Sequence, residues 1–135
     1  VATIQKEIVV EAAPDVVWDA IRDVGAIHTR LASGFVTDTR LDGDSRIVTF
    51  ANGAVVRERI ITVDDRNRRL VYSVVEWKAT HHNASFQVFD AGHRQSRVVW
   101  IVDLLPDDLA PLMDGLMQQG CEAMKRTLGH QVART

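Results

Sequence analysis

The sequence predicts an α+β domain: a seven-stranded, curved antiparallel sheet wrapped around one long C-terminal helix, with two short helices after the first strand. Three observations predict it. A strand-like run passes into a short helical stretch, and further strand-like runs joined by tight turns follow. Asn52-Gly53 stands between two of those runs and is the strongest short-range hairpin signal a sequence carries. The chain then closes on an amphipathic segment with apolar residues at helical spacing. The helix must cover the concave face of the sheet, and strong curvature leaves a hollow beneath it. A small-molecule pocket is therefore the leading functional expectation.

Residues 2–12 open the chain as a strand. Ile4, Ile8 and Val10 share one parity, and Gln5, Glu7 and Glu11 take the other. Pro14 starts a helix at its first position, where a missing N–H costs nothing. Val17, Trp18 and Ile21 form its apolar stripe and Gly25 ends it. Residues 26–31 make a second short helix. A strand over 35–41 ends in Asp42-Gly43-Asp44, residues 46–51 pair back, and Asn52-Gly53 reverses the chain again. The strand over 55–63 runs into the polar turn Asp64-Asp65-Arg66-Asn67. Strands over 70–77, 82–89 and 97–104 follow, the last two joined around Ala91-Gly92.

The final helix is expected over 107–128. Leu109, Leu112, Met113, Leu116, Met117, Met124 and Leu128 fall on one face. Asp108 is placed to cap its start, and Pro111 lies in the first turn, where it is tolerated. Gly120 falls on the same stripe and weakens the helix by roughly 1 kcal/mol against alanine. Its missing side chain leaves room for a ligand, lets the helix pack closely on the sheet, or is simply tolerated. The methionines suit an adaptable pocket wall or an ordinary core.

Composition bounds the function. A chain of 135 residues is expected to form one domain, 1–135, with a proper core. Hydrophobic content of 46% and charged content of 25% belong to the soluble globular class. A net charge of −2 gives no electrostatic reason to expect nucleic acid as a partner. No apolar run reaches the length of a bilayer span, and no basic-then-apolar leader opens the chain. Cys121 is the single cysteine, which excludes an internal disulfide and a cysteine-based zinc site. These readings lead us to expect a cytoplasmic monomer or homodimer.

The stretch Ile8-Val9-Val10-Glu11-Ala12-Ala13-Pro14-Asp15-Val16-Val17-Trp18 resembles the entry motif of START-like, or SRPBCC, helix-grip proteins. More narrowly, it resembles the polyketide cyclase/dehydrase group of bacterial proteins. The middle of the chain is similar to the same group. Gly53 opens a hairpin, Arg57-Glu58-Arg59 gives its "R-E-R" strand after it, and Asp64-Asp65, Tyr72 and Glu76 continue into a "Y-x-x-x-E" strand. Val98, Trp100 and the Pro106 before the last helix also fit, so the resemblance spans essentially the whole chain. It implies a cavity between sheet and helix, used by different relatives for lipids, plant hormones, polyketides and alkaloid precursors. Some relatives cyclise or dehydrate, while many only bind, so the fold does not choose the function.

Alternation assigns the cavity wall. In the strand from Val55, Arg57 and Arg59 share one parity and face water, which turns Val56, Glu58, Ile60 and Thr62 inward. Tyr72, Val74 and Glu76 share a parity, and the matching positions of hormone-binding relatives line their pocket. His82, Ala84, Phe86 and Val88 form the next inward set, then Val98, Trp100, Val102 and Leu104. Phe35, Leu112, Met113, Leu116, Met117 and Gly120 complete a wall around roughly 300–1,000 Å³. The polar members are few: Glu58, Tyr72 and His82, with Glu76 and Arg46 at the rim.

Each polar group has more than one role open to it. Glu58 either pairs with Arg46, anchors a ligand or serves as a general base. His82 is a solvated or hydrogen-bonded histidine or a proton partner, and Tyr72 is a wall residue whose hydroxyl needs a partner. His81 and His82 point to opposite faces and cannot chelate one ion, and His28, His93 and His130 offer no ligand spacing. No metal or cofactor is expected. No serine stands in an elbow motif, and Cys121 lacks an activating base. Three function classes remain. The first binds a hydrophobic or aromatic small molecule. The second is an aldol-type cyclase or dehydratase with Glu58 as general base and His82 or Tyr72 as proton partner. The third is a protein-partner module, which would show an exposed apolar patch.

Overall fold

The computed structural model describes residues 2–133, with side chains described as far as residue 129. Its elements are β1 (Ala2–Val10), α1 (Pro14–Arg22), a single π-helical turn (Ile27–Leu31), β2 (Val36–Asp42), β3 (Ser45–Phe50), β4 (Val55–Asp64), β5 (Arg69–Val75), β6 (His81–Gly92), β7 (Gln95–Leu105), a 3₁₀ turn (Asp107–Leu109) and α2 (Ala110–Ala133). The strands form one seven-stranded antiparallel sheet in the order β1-β7-β6-β5-β4-β3-β2. All neighbours from β2 to β7 are sequential hairpins. Only β1 pairs at long range, with Ala2 opposite Leu104 and Val10 opposite Ser96.

Alternation decides which face is buried. Tyr72, Ala84, Phe86, Val88, Val98, Val102 and Leu104 project from the concave face into one core with Met113, Met117, Met124 and Leu128 of α2. On α1, Val17, Trp18, Ala20 and Ile21 are buried as the stripe predicts. The indole of Trp18 donates to Asp65, which also takes the Arg22 guanidinium at 2.8 Å and ties α1 to the β4–β5 turn. Ile27 and Leu31, one turn apart, bury the π-helical turn against this core.

Several expectations are corrected. The expected first strand over 2–12 stops at Val10, because the chain bends so that the Ala12 N–H reaches the Val10 carbonyl and the Ser96 hydroxyl caps that of Ala12. The turn expected at Ala91-Gly92 lies two residues later. A bulge at Asp90/Gly92 shifts the register, Gly92 pairs with Gln95, and His93 and Arg94 make the reversal, both at positive φ. Thr62 is exposed rather than inward, since a bulge between Ile60 and Thr62 flips the parity of the rest of β4. Strand β5 ends at Val75 rather than running to 77. The final helix is a 3₁₀ turn followed by α2. Pro106 holds the cap position of that turn without a side-chain hydrogen bond, so Asp108 sits inside the turn and caps nothing. Pro111 stands in the first turn of α2, as expected.

Candidate functional site beneath the C-terminal helix

Sheet curvature leaves a cavity of about 150 Å³ between the concave face and α2, smaller than the 300–1,000 Å³ expected. Phe35, Phe50, Asn52 and Ala54 surround its exposed end at the β3–β4 hairpin, and Tyr72, Phe86 and Trp100 form its inner wall. Met113, Leu116, Met117, Gly120 and Met124 line it from α2, all within one stripe at helical spacing.

The reduced volume has a cause. Tyr72 stacks on Phe86 at 6.0 Å between centroids, and Phe86 on Trp100 at 4.8 Å, which fills much of the hollow with a ladder of rings. Trp100 is held at both ends. Its Nε1 donates to the Tyr72 hydroxyl at 3.1 Å. Its far edge lies against Gly120, where a Cβ would stand 3.0 Å from Cζ3 and 3.1 Å from Cη2. Gly120 therefore serves close packing of helix on sheet.

Arg46 on β3 and Glu58 on β4 are register partners, so both side chains leave the sheet on one face. Arg46 Nε donates to Glu58 Oε1 at 2.8 Å, with the residues 2% and 7% exposed. Pairing is the reading of Glu58 that the geometry supplies. Nη1 of Arg46 donates to the Val24 carbonyl at 3.4 Å, and its Cζ lies 5.1 Å from the Tyr72 ring centroid, a cation–π contact. Arg46 is thus inside the wall, not at its rim. Burial pushes the Tyr72 phenol well above its usual range, and the Glu58 charge adds to the effect.

His82 is placed by a gap in the sheet. The β5–β6 ladder stops at Tyr72 opposite Ala84, so Val74 N–H has no strand partner on that side. The imidazole takes it: Val74 N–H donates to His82 Nδ1 at 3.1 Å, while the Ser73 hydroxyl donates to the His82 carbonyl. A ring nitrogen that accepts must be unprotonated, which leaves the proton of neutral His82 on Nε2. Burial is the main reason its pKa falls to about 4, and the nearby His81 charge lowers it further.

Two expected wall residues lie elsewhere. Leu112 is 43% exposed and off the cavity, because it sits about 100° around the helix from Met113, at the edge of the stripe. Glu76 is exposed and off the cavity as well. It follows the end of β5 at φ 58°, so the strand parity that would turn it inward no longer holds. The remaining expected members, Phe35, Arg46, Glu58, Tyr72, Val74, His82, Phe86, Trp100, Met113, Leu116, Met117 and Gly120, meet around one hollow. Sequence reasoning missed Ile27, Leu31, Ala32, Val36, Val48, Phe50, Asn52, Ala54 and Trp77. Phe50 could have been found from its place opposite Val36 in the β2–β3 pair, whereas Trp77 lies beyond a strand end and carries no periodic signal.

Cys121 is buried, and burial raises its thiol pKa. Among the described residues no three His, Cys, Asp or Glu side chains gather to hold a metal ion. His81 projects outward and bonds Asn83 at 2.6 Å, His28 lies in the π-helical turn, His93 sits in the β6–β7 reversal, and the His130 side chain lies outside the described residues.

Residues 1–129 match the family model described as polyketide cyclase / dehydrase and lipid transport. The chain belongs to that family. The helix-grip fold of this family member recurs in solved structures. XoxI from Bacillus cereus aligns with a TM-score of 0.83 at 20% identity, covering 95% of this chain and 96% of that one. Norcoclaurine synthase from Thalictrum flavum aligns with a TM-score of 0.76 at 20% identity, covering 99% of this chain and 87% of the synthase. The di-domain ARO/CYC BexL from the BE-7585A biosynthetic pathway aligns with a TM-score of 0.81 at 11% identity, over 95% of this chain and 46% of BexL. No curated protein sequence matches this family member. No helix among its described residues is long and apolar enough to cross a membrane.

Proposed function

We propose that the protein binds an apolar or aromatic small molecule in the cavity beneath α2. The observation that carries this reading is the wall itself, a ring ladder and a methionine-rich helix stripe around a hollow whose few polar groups are tied to one another. The family description, which joins cyclases and lipid transport, supports it. So does norcoclaurine synthase, a neighbour of the same fold whose complex holds dopamine and hydroxybenzaldehyde. Phe35, Val74, Phe86, Trp100, Met113, Leu116 and Met117 supply apolar contact, while Arg46, Glu58, Tyr72 and His82 orient the ligand.

Acid–base catalysis is supported less well. The Glu58 carboxylate is engaged by Arg46, His82 Nδ1 already accepts a backbone N–H, and burial holds the Tyr72 phenol protonated. A protein-docking surface also has less behind it, because the large exposed apolar side chains, among them Val9, Val16, Leu41, Ile61 and Leu112, are distributed over β1, α1, β2, β4 and α2.

Saturation-transfer NMR with a small panel of aromatic compounds tests the reading. Wild-type protein should transfer magnetisation to at least one of them. Leu116→Trp, which fills the half-buried helix side of the cavity, should abolish the transfer while circular dichroism stays unchanged. Equal transfer in a folded Leu116→Trp variant would place binding outside the cavity and overturn the proposal.

A further inference from the structure

We infer that the cavity selects an uncharged, single-ring aromatic molecule bearing a carbonyl-type hydrogen-bond acceptor, an inference that rests on the ligand-binding reading above. Size comes first. A hollow of about 150 Å³ accommodates a benzene-sized ring with a short substituent. The residue that sets this limit is Trp100. Its indole is fixed by the Tyr72 hydroxyl at one end, by Phe86 on its face and by Gly120 at its far edge. At the inner end of the hollow, a second fused ring would have to displace this side chain, which is held on three sides.

Polarity comes next, and the intramolecular hydrogen bonds decide it. Tyr72 Oη accepts from Trp100 Nε1, so its own O–H is left to donate. His82 accepts at Nδ1 from Val74 N–H, so Nε2–H is left to donate. These two rings stand side by side, 6.0 Å between centroids, and both neutral groups offer donors. An acceptor oxygen on the ligand is their complement, and a ligand without one leaves them unpaired.

Charge is the third constraint. Arg46 and Glu58 neutralise each other inside the wall at 2.8 Å. The Arg46 and Glu58 charges already cancel, so a ligand carboxylate or ammonium would find no unpaired counter-charge in this part of the wall. Either would bring an uncompensated charge against a largely apolar wall.

Isothermal titration of wild-type protein with acetophenone, ethylbenzene, benzoate and 2-acetylnaphthalene tests all three constraints. Acetophenone should bind about fivefold or more tightly than ethylbenzene, its near-isostere without an oxygen. Benzoate and 2-acetylnaphthalene should each bind more than about tenfold more weakly than acetophenone. Tyr72→Phe should bring the acetophenone-to-ethylbenzene ratio toward one, and Trp100→Leu should admit 2-acetylnaphthalene. Ethylbenzene binding as well as acetophenone, benzoate binding as tightly, or wild-type protein taking the naphthyl ketone equally well would overturn the inference while leaving the binding reading intact. No binding by any of the four would also overturn the inference, while the Leu116→Trp experiment decides the binding reading separately.

Discussion

Arg46 and Glu58 face each other across the β3–β4 ladder with almost no contact with solvent. Removing one partner of such a pair strands the other charge in the core, which costs about 3–5 kcal/mol, whereas replacing both by apolar groups of similar size is far milder. Arg46→Met should therefore lower unfolding free energy in urea by that amount, and Arg46→Met combined with Glu58→Leu should recover most of it. A double variant whose loss equals the sum of the two single losses would show that the side chains act independently. His82 makes a pH prediction at the same scale. Its folded pKa of about 4 lies below the ordinary value of 6.5, so between those values the unfolded chain binds a proton that the native protein does not. Its contribution to stability is thus fully present above pH 6.5 and is lost as the pH falls toward 4, a change of about 3 kcal/mol. His82→Gln, whose amide oxygen can take the Val74 N–H, should flatten that part of the stability profile. An unchanged slope would assign the pH dependence to other groups.

At the scale of elements, α2 carries glycines of opposite character. A Cβ at Gly115 would have nothing within 4 Å, so Gly115→Ala should gain up to about 1 kcal/mol of helix propensity. A Cβ at Gly120 would meet Trp100 at 3.0 Å. The indole cannot retreat without breaking its bond to Tyr72 and its stack on Phe86, so crowding of about 1–3 kcal/mol should exceed the propensity gain in Gly120→Ala. Thermal melts of the two variants should move in opposite directions. A rise in both would show that Trp100 yields freely. The strands carry a similar lesson in register. The bulges in β4 and β6 each insert one residue, and each displaced an expectation, the inward parity of Thr62 in one case and the turn at Ala91-Gly92 in the other.

For the whole molecule, the closing step is the pairing of β1 with β7, which joins residues about a hundred positions apart, such as Thr3 and Asp103. Strand β7 is then paired on both sides and contributes Val98, Val102 and Leu104, each 1% exposed or less, to the core under α2. Strand β2 is an edge with Thr37, Asp38, Arg40 and Leu41 exposed. Native-state hydrogen exchange should find the slowest amides in the centres of β6 and β7 and much faster exchange along β2. Equal protection in β2 and β7 would show that the sheet opens only as one unit.

The element order, the hairpins at Asn52-Gly53 and Asp42-Gly43-Asp44, and the inward parity of Glu58, Tyr72, His82, Phe86 and Trp100 were all legible from local pattern. Turn chemistry and the periods of strand and helix are properties of neighbouring residues, so the chain alone determines them. The size of the cavity, the engagement of Glu58 by Arg46, the proton left on His82 Nε2 and the seating of Trp100 on Gly120 were decided only by the tertiary structure. Each depends on the distance between side chains from different elements. Alternation tells which way a side chain points, but only the assembled sheet and helix set what it meets there.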